Sequence, residues 1–418
     1  MSIQDWLNLG LRWLHLVVGI SWIGNSLYFM WLDASLEKPA PPREGVEGEV
    51  WLLHSGGFYQ VARRTLGPGL VPTTLHWFKW EAALTWLSGF GLLTVVYYLS
   101  GGVYLIDPTI ATPIISPLVS PRGAPHLALP LTPGQATALS LGVLVVSWVV
   151  YDVLWATLGR RHAHAATAIS FALLAVAIYG LCHVLSGRGA YIHVGALLGT
   201  IMVANVWMRI VPAQRDMLAA TEAGRQPDPT LSREAKRRST HNSYVTFPVL
   251  FTMFSNHFPG TYGHPLNWLI LSLLIVVGVG VRALMIASER RRPAAWVWAP
   301  VAAALLGFLY LTSPASLAAS APKAQPPGGR PVAFDVVRGI VALRCLSCHS
   351  TTPSDDVFRA APNGVTFDTP ESLRTRAELI KQRTVLVKNM PLANKTGMTE
   401  EERILIGRWI DQGADTGR

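Results

Sequence analysis

The chain has 418 residues, 50% of them hydrophobic and only 14% charged, where a soluble domain carries about 25% charged residues. That balance excludes an ordinary soluble globular protein and points to a lipid environment. The net charge of +10 does not mark a nucleic-acid binder, because no nucleic-acid motif is present and the basic residues follow a topological pattern instead.

Apolar runs near 20 residues recur eight times, at 7–32, 78–100, 136–158, 165–186, 190–211, 242–259, 266–287 and 295–312. Each is about long enough to cross a hydrocarbon core of roughly 30 Å as a helix. The sixth is the weakest, interrupted by Pro248 and bracketed by His241 and His257. The start, Met1 to Asn8, lacks the basic segment of a signal peptide, and no small-residue cleavage site follows. The first run therefore reads as a retained helix. Connections 33–77, 159–164, 209–243 and 288–294 hold 16 Lys and Arg, whereas the N-terminus and connections 101–135, 187–189 and 260–265 hold two, Arg122 and Arg188. By the positive-inside rule the first set is cytoplasmic, which puts both termini on the periplasmic side of a bacterial inner membrane. The expected fold is all-α, a polytopic membrane helix bundle of about eight spans.

The stretch 101–135 holds seven prolines and reads as an irregular outer loop. Residues 313–333 form a Pro/Ala/Gly-rich linker between a transmembrane domain at 1–312 and a polar domain at 334–418. That second domain carries Cys345-Leu346-Ser347-Cys348-His349. In a C-x-x-C-H motif the two thiols add to haem vinyl groups and the histidine ligates iron. A redox dithiol is the other reading, but the charge pattern puts the motif on the outer side, where such attachment takes place. The expectation is thus one covalent haem c in a class I cytochrome c-like domain. The second axial ligand should be Met390 or Met398. Thr399 and Glu402 form a capping box that makes Met398 a hydrophobic staple, while Met390 precedes Pro391 in a loop and is preferred. A helix at 334–344 should pack on 400–410, with Gly339 close to Trp409.

Ionisable groups inside spans are functional candidates. His15 with Gly19, Trp22 and Ser26 makes a polar stripe on the first span, and His257, His183 and His193 share its outer level. Two of these, His15 and His257, with Gly19 leaving room, suit a second, non-covalent haem b that relays electrons outward. Interhelical hydrogen bonding is the competing reading. A cytoplasmic-level set comprises His54 in HSGGFY, His76, Lys79 and Glu81 in HWFKWE, and His241 with Asn242 in HNSY. It can bind a polar substrate, against a bland reading of snorkelling and helix capping. Cys182 reads as a small buried hydrophobe.

The segments WIGNSLYFMWLD (22–33), EVWLLHSGGFYQ (49–60), LHWFKWEAALTW (75–86) and HNSYVTFPVLFTMFSNHFP (241–259), with the C-x-x-C-H tail, resemble the membrane-bound urate hydroxylases (urate oxidases) of bacterial purine breakdown. Those proteins fuse a membrane domain to a cytochrome c. The resemblance implies two-electron oxidation of urate to 5-hydroxyisourate, with electrons leaving through haem c toward a respiratory-chain acceptor. His54, His76, Lys79 and His241 are then the candidate catalytic groups, as bases or anion-binding residues at an electropositive pocket. A cytochrome c-linked dehydrogenase for another small reductant and a purely electron-transferring membrane cytochrome are the alternatives.

Overall fold

The computed structural model describes residues 3–65, 71–107, 131–313, 316 and 331–417. The proline-rich loop at 108–130 and most of the linker lie outside these residues. Helix α1 (Ile3–Ser35) lies along α2 (Trp80–Leu93), which runs on through a π-turn at Thr94–Tyr98. Then come α3 (Pro133–Ala156) and α4 (Ala163–Val184). A long rod follows, α5 (Gly187–Asn205), a π-turn (Val206–Ile210) and α6 (Val211–Glu222). The bundle closes with α7 (Pro229–Phe254), α8 (Asn267–Glu289) and α9 (Ala295–Leu311).

Helix ends follow local chemistry. Thr132 and Gln135 cap α3 reciprocally with Pro133 in its first turn, and Asp228 caps α7 ahead of Pro229. Pro248 inside α7 is accommodated because α8 presents Gly278 there, where an added Cβ would lie 2.8 Å from the proline Cδ. The core centres on α5, whose Tyr191, Val194, Leu197 and Leu198 pack with Ile178 of α4, Val249 of α7 and Leu271 and Ile275 of α8.

One expectation changes and another is met in part. The chain is mostly helical but not all-α, because β1 (Val46–His54) and β2 (Gly57–Arg64) pair as an antiparallel hairpin. Its turn has Ser55 and Gly56 at φ of 50° and 76°, the left-handed pair a two-residue hairpin loop requires. Among the described residues four helices are long and apolar enough to cross a membrane, α3, α4, the α5–α6 rod and α8, with α9 apolar but shorter. Polar residues such as Gln4, Asn8 and Arg12 lower the hydropathy of α1, and the charged first half of α7 does the same there. Large apolar side chains face outward, Trp13 on α1 and Val145, Val149 and Val153 on α3 among them.

Residues 331–417 have a core of their own, Val337, Ile340, Leu373, Val385, Met398, Ile406 and Trp409, built on α10 (Phe334–Arg344), α11 (Pro370–Thr375) and α12 (Glu400–Asp411). Helices α10 and α12 meet as expected, but Gly339 faces open space. The contact to Trp409 comes from Phe334, rings 5.9 Å apart, since the larger ring reaches across the gap.

Candidate functional site

One group of polar residues buried in the bundle converges where α3, the π-turn after α5, and α7 meet. Asp152 of α3 accepts from Arg209 (Nε to Oδ1, 2.8 Å) and from Arg238 (Nη2 to Oδ1, 2.9 Å). Arg238 is 1% exposed, and its guanidinium lies over the Tyr151 ring at 5.0 Å. The Tyr151 hydroxyl is 2.7 Å from His241 Nδ1, and the His241 ring packs on Trp155 at 4.1 Å. Asn205 donates to Tyr151 at 3.2 Å and to Asn242 at 2.8 Å. Two guanidinium groups against one carboxylate leave this network with excess positive charge, and Arg238 Nε has no partner among the described residues.

The π-turn positions both sides of this region, as such turns often do at functional sites. It directs Arg209 to Asp152 and Trp207 to α2, where Trp207 Nε1 donates to the Lys79 carbonyl at 3.2 Å. Lys79 Nζ stands over three indole rings, Trp77 at 5.3 Å, Trp80 at 5.8 Å and Trp207 at 5.7 Å, an aromatic cage around a cation. Nearby, Glu81 Oε2 is buried without a partner among the described residues.

Of the four cytoplasmic-level candidates, the structure places His241 in the network and Lys79 beside the same π-turn. His76 is exposed and rests edge-on against Phe78. His54 is exposed at the tip of the hairpin, on the order of 25 Å along the ribbon from its base at about 3.3 Å per residue. Arg63 fixes that base by pairing with Asp33 (2.8 Å) and Glu47 (2.9 Å). Sequence reasoning missed Tyr151, Asp152, Asn205, Arg209 and Arg238. Asp152 carried the available signal, an acid inside the apolar run 136–158, whereas the arginines were counted only as topology charges.

The outer-level histidines do not converge. His15 is turned to α2, with Nδ1 2.9 Å from the Thr85 carbonyl and 3.1 Å from Ser88 Oγ, and its ring lies flat on Gly89, where a Cβ would stand 2.8 Å from Cε1. Gly19 faces Thr85 rather than a vacant slot. His257 is exposed on a 3-10 turn after α7, and no hydrogen bond or ring contact joins it to His15 among the described residues. His193 uses both nitrogens, on the Gly189 carbonyl (2.7 Å) and the Tyr98 hydroxyl (3.1 Å). His183 is held by Tyr179 of its own helix. These residues do not fit a bis-histidine haem.

The C-x-x-C-H residues do fit a haem c. Cys345 ends α10, and Cys345 and Cys348 are free thiols. Burial pushes the Cys345 thiol up to about 12 and raises that of Cys348. His349 Nδ1 is 2.9 Å from the Val365 carbonyl; donation there leaves Nε2 to face a metal, the arrangement by which ligating histidines are oriented. Met398 is 3% exposed inside the core. Met390 is only partly buried, and its backbone is anchored by its own N–H on the Arg383 carbonyl (3.1 Å) and by Arg403 Nη1 donating to its carbonyl (2.7 Å). Among the described residues no group of three or more His, Cys, Asp or Glu converges as a metal site.

No curated protein and no solved structure matches the chain. The match that does emerge spans the whole bundle, network and Trp cage included: with residues 1–313 aligned to it, the chain belongs to the urate oxidase N-terminal family.

Proposed function

We propose that this protein is a membrane-bound oxidoreductase that converts urate to 5-hydroxyisourate and passes the electrons to a covalent haem c in its C-terminal segment. Family membership supplies the urate-related chemistry. The observation that carries the site is the buried network in which two arginines share one aspartate beside the His241–Tyr151 pair. Urate is a planar anion. Adding water at C5 releases two electrons and two protons, so a site needs a cationic cradle and a proton acceptor.

Arg238 and Arg209 supply the cradle, and Asp152 holds them in register. His241 accepts a proton while Tyr151 fixes its ring, and Trp155 blocks the ring's other face. Lys79 adds a second positive centre across the π-turn. His76 and His54 stand outside this arrangement. In the C-terminal segment Cys345 and Cys348 would hold the haem, His349 would ligate iron through Nε2, and Met390 is the residue free to approach from the other side. When bound, that haem accepts one electron at a time. The apolar exterior and the loop charge pattern support eight spans in a bacterial inner membrane with both termini periplasmic.

The test is urate turnover in membranes from His241→Ala, against His76→Ala and His54→Ala. Loss of a positioned base costs about 100-fold or more; the two exposed histidines should leave turnover near wild type. Equal loss in all three, or none in His241→Ala, would move the chemistry elsewhere.

A further inference from the structure

The far end of α5 carries a second set of polar atoms without partners. Arg188 and Arg209 are 21 residues apart on one continuous rod, about 30 Å at 1.5 Å per residue. Arg188 therefore sits at the opposite end of the bundle from the inner network, and it sits under the C-terminal segment. Its guanidinium stacks on the Tyr104 ring at 4.4 Å, and Tyr104 meets Phe358 of the C-terminal segment at 6.3 Å between ring centroids. Phe358 is tied to the C-x-x-C-H loop, because its N–H donates to Asp355 Oδ1 at 3.0 Å and the Asp355 N–H donates to the Ser347 carbonyl at 3.0 Å. A second contact seats the segment, Val387 against Gly263, where no side chain larger than hydrogen fits without a shift.

At this seam Arg188 Nε is buried and has no hydrogen-bond partner, and no carboxylate pairs with Arg188 among the described residues. Asn256 Oδ1 is likewise buried and unpartnered. Tyr97 lies between the two: its hydroxyl oxygen accepts from Asn256 Nδ2 at 3.1 Å, and its ring meets, at 6.2 Å, the Tyr104 ring on which Arg188 stacks. Arg188 is partly buried, and an Nε buried without hydrogen-bond partner or counter-ion is costly; the stacked face leaves the N–H edge as the surface that a planar oxyanion matches.

We propose that Arg188, Tyr97 and Asn256 form an anion-binding site at the seam, for an organic anion that accepts from the guanidinium edge. Two sources share that chemistry: the carboxylate arms of the haem carried by Cys345 and Cys348, and the urate anion, whose ring N–H groups would also satisfy Asn256 Oδ1. The first would fix the C-terminal segment on the bundle by a charge pair across the seam. The second would put substrate next to the C-x-x-C-H loop and remove the 30 Å path from the inner network. The site rests on the proposed function only for the identity of these two anions.

Labelling of Arg188 by phenylglyoxal, read by peptide mass spectrometry on native membranes, tests this. Wild type and Cys345→Ala/Cys348→Ala are each labelled with and without urate. Protection in wild type that is lost in the double variant assigns the haem carboxylates. Protection that appears only with urate, in both proteins, assigns urate. Equal labelling in all four conditions overturns the site. Should wild type carry no covalent haem by in-gel staining, that reading fails on its own while the urate pair still decides the site. As a second readout, Arg188→Gln should lower the haem midpoint potential if carboxylates are bound, or raise the KM for urate if urate is. Arg188→Lys should restore either only in part, because an ammonium lacks the planar fork.

Discussion

In the bundle the fully buried side chains include Arg238, Arg282 and His193, while Trp13 and Val145 are 70% and 64% exposed. In the C-terminal segment Trp409, Ile406 and Val337 are buried, and of the charged residues described there only Asp355 and Arg403 are with them. On the proposed membrane reading the two regions are sorted against different solvents. Where the outside is lipid, a polar group gains nothing by facing out, so buried charges are partnered inside the bundle, by another helix or by their own. Arg238 and Arg209 meet Asp152, and Arg282 meets Ser243 (2.9 Å) and Glu289 (3.0 Å). Where the outside is water, polarity can be left at the surface and the site is built from neighbours in sequence.

The most drastic way to separate the regions is to remove the thiols. Cys345→Ala with Cys348→Ala should abolish covalent haem staining and urate-dependent electron transfer completely, while the bundle still inserts. Its core is independent of the segment's core. Haem stain that survives on a denaturing gel rules the assignment out.

The bundle's dependence on paired charges predicts a large but different loss. Asp152→Ala strands Arg238 in the interior, and breaking such a pair costs about 3–5 kcal/mol. Asp33→Ala removes the partner of Arg63 and Lys236 at an exposed site, where a pair contributes about 0–1 kcal/mol. Unfolding in detergent should rank the two variants in that order. Equal stability would mean that the network's charges are hydrated and that the contrast between the regions is wrong.

That contrast also explains what could be read in the chain. The C-terminal site was legible because its parts are contiguous: Cys345 to His349 is one motif, and the Thr399–Glu402 capping box forms as its spacing implies, Glu402 N to Thr399 Oγ1 at 3.3 Å. The bundle's site was only partly legible. His241 stood out by type, but Asp152, Arg209 and Arg238 lie 57 and 86 residues apart across their contacts. Which helix faces which is decided by packing that periodicity does not encode. The positions of the outer histidines along the spans imply convergence, yet His15 is turned to α2 and His257 is exposed on the 3-10 turn after α7. The hairpin at 46–64 was overlooked because the long apolar runs dominate the pattern around it.

The two methionines sharpen the comparison inside the C-terminal segment. Met398→Ala opens a hole in the core and should cost about 2–5 kcal/mol, with the haem potential unchanged. Met390→Ala should cost little stability and shift the potential downward, since thioether ligation raises it. Redox titration beside thermal unfolding reads both; a potential shift in Met398→Ala alone would reverse the ligand assignment.

An effect confined to a narrow pH range tests whether the segment's buried acid behaves as a paired surface charge or as a core group. Asp355 is 7% exposed and accepts from Lys395 Nζ (2.7 Å) and from the N–H groups of Val357 (2.8 Å) and Phe358 (3.0 Å). Burial alone would raise its pKa, but the Lys395 hydrogen bond and charge with the two N–H donors outweigh burial and hold it at about 2, below the ordinary 3.8. A carboxylate with a depressed folded value stabilises the folded state fully above its unfolded value, and that stabilisation is lost as pH falls through the folded one. Asp355→Asn should therefore be less stable than wild type by about 1–3 kcal/mol near neutral pH, and the gap should close between about pH 4 and pH 2. Unfolding of the C-terminal segment, followed by haem absorbance across that range, measures it. A gap that persists unchanged at pH 2 would mean that Asp355 acts through its shape in the 354–358 loop and not through its charge.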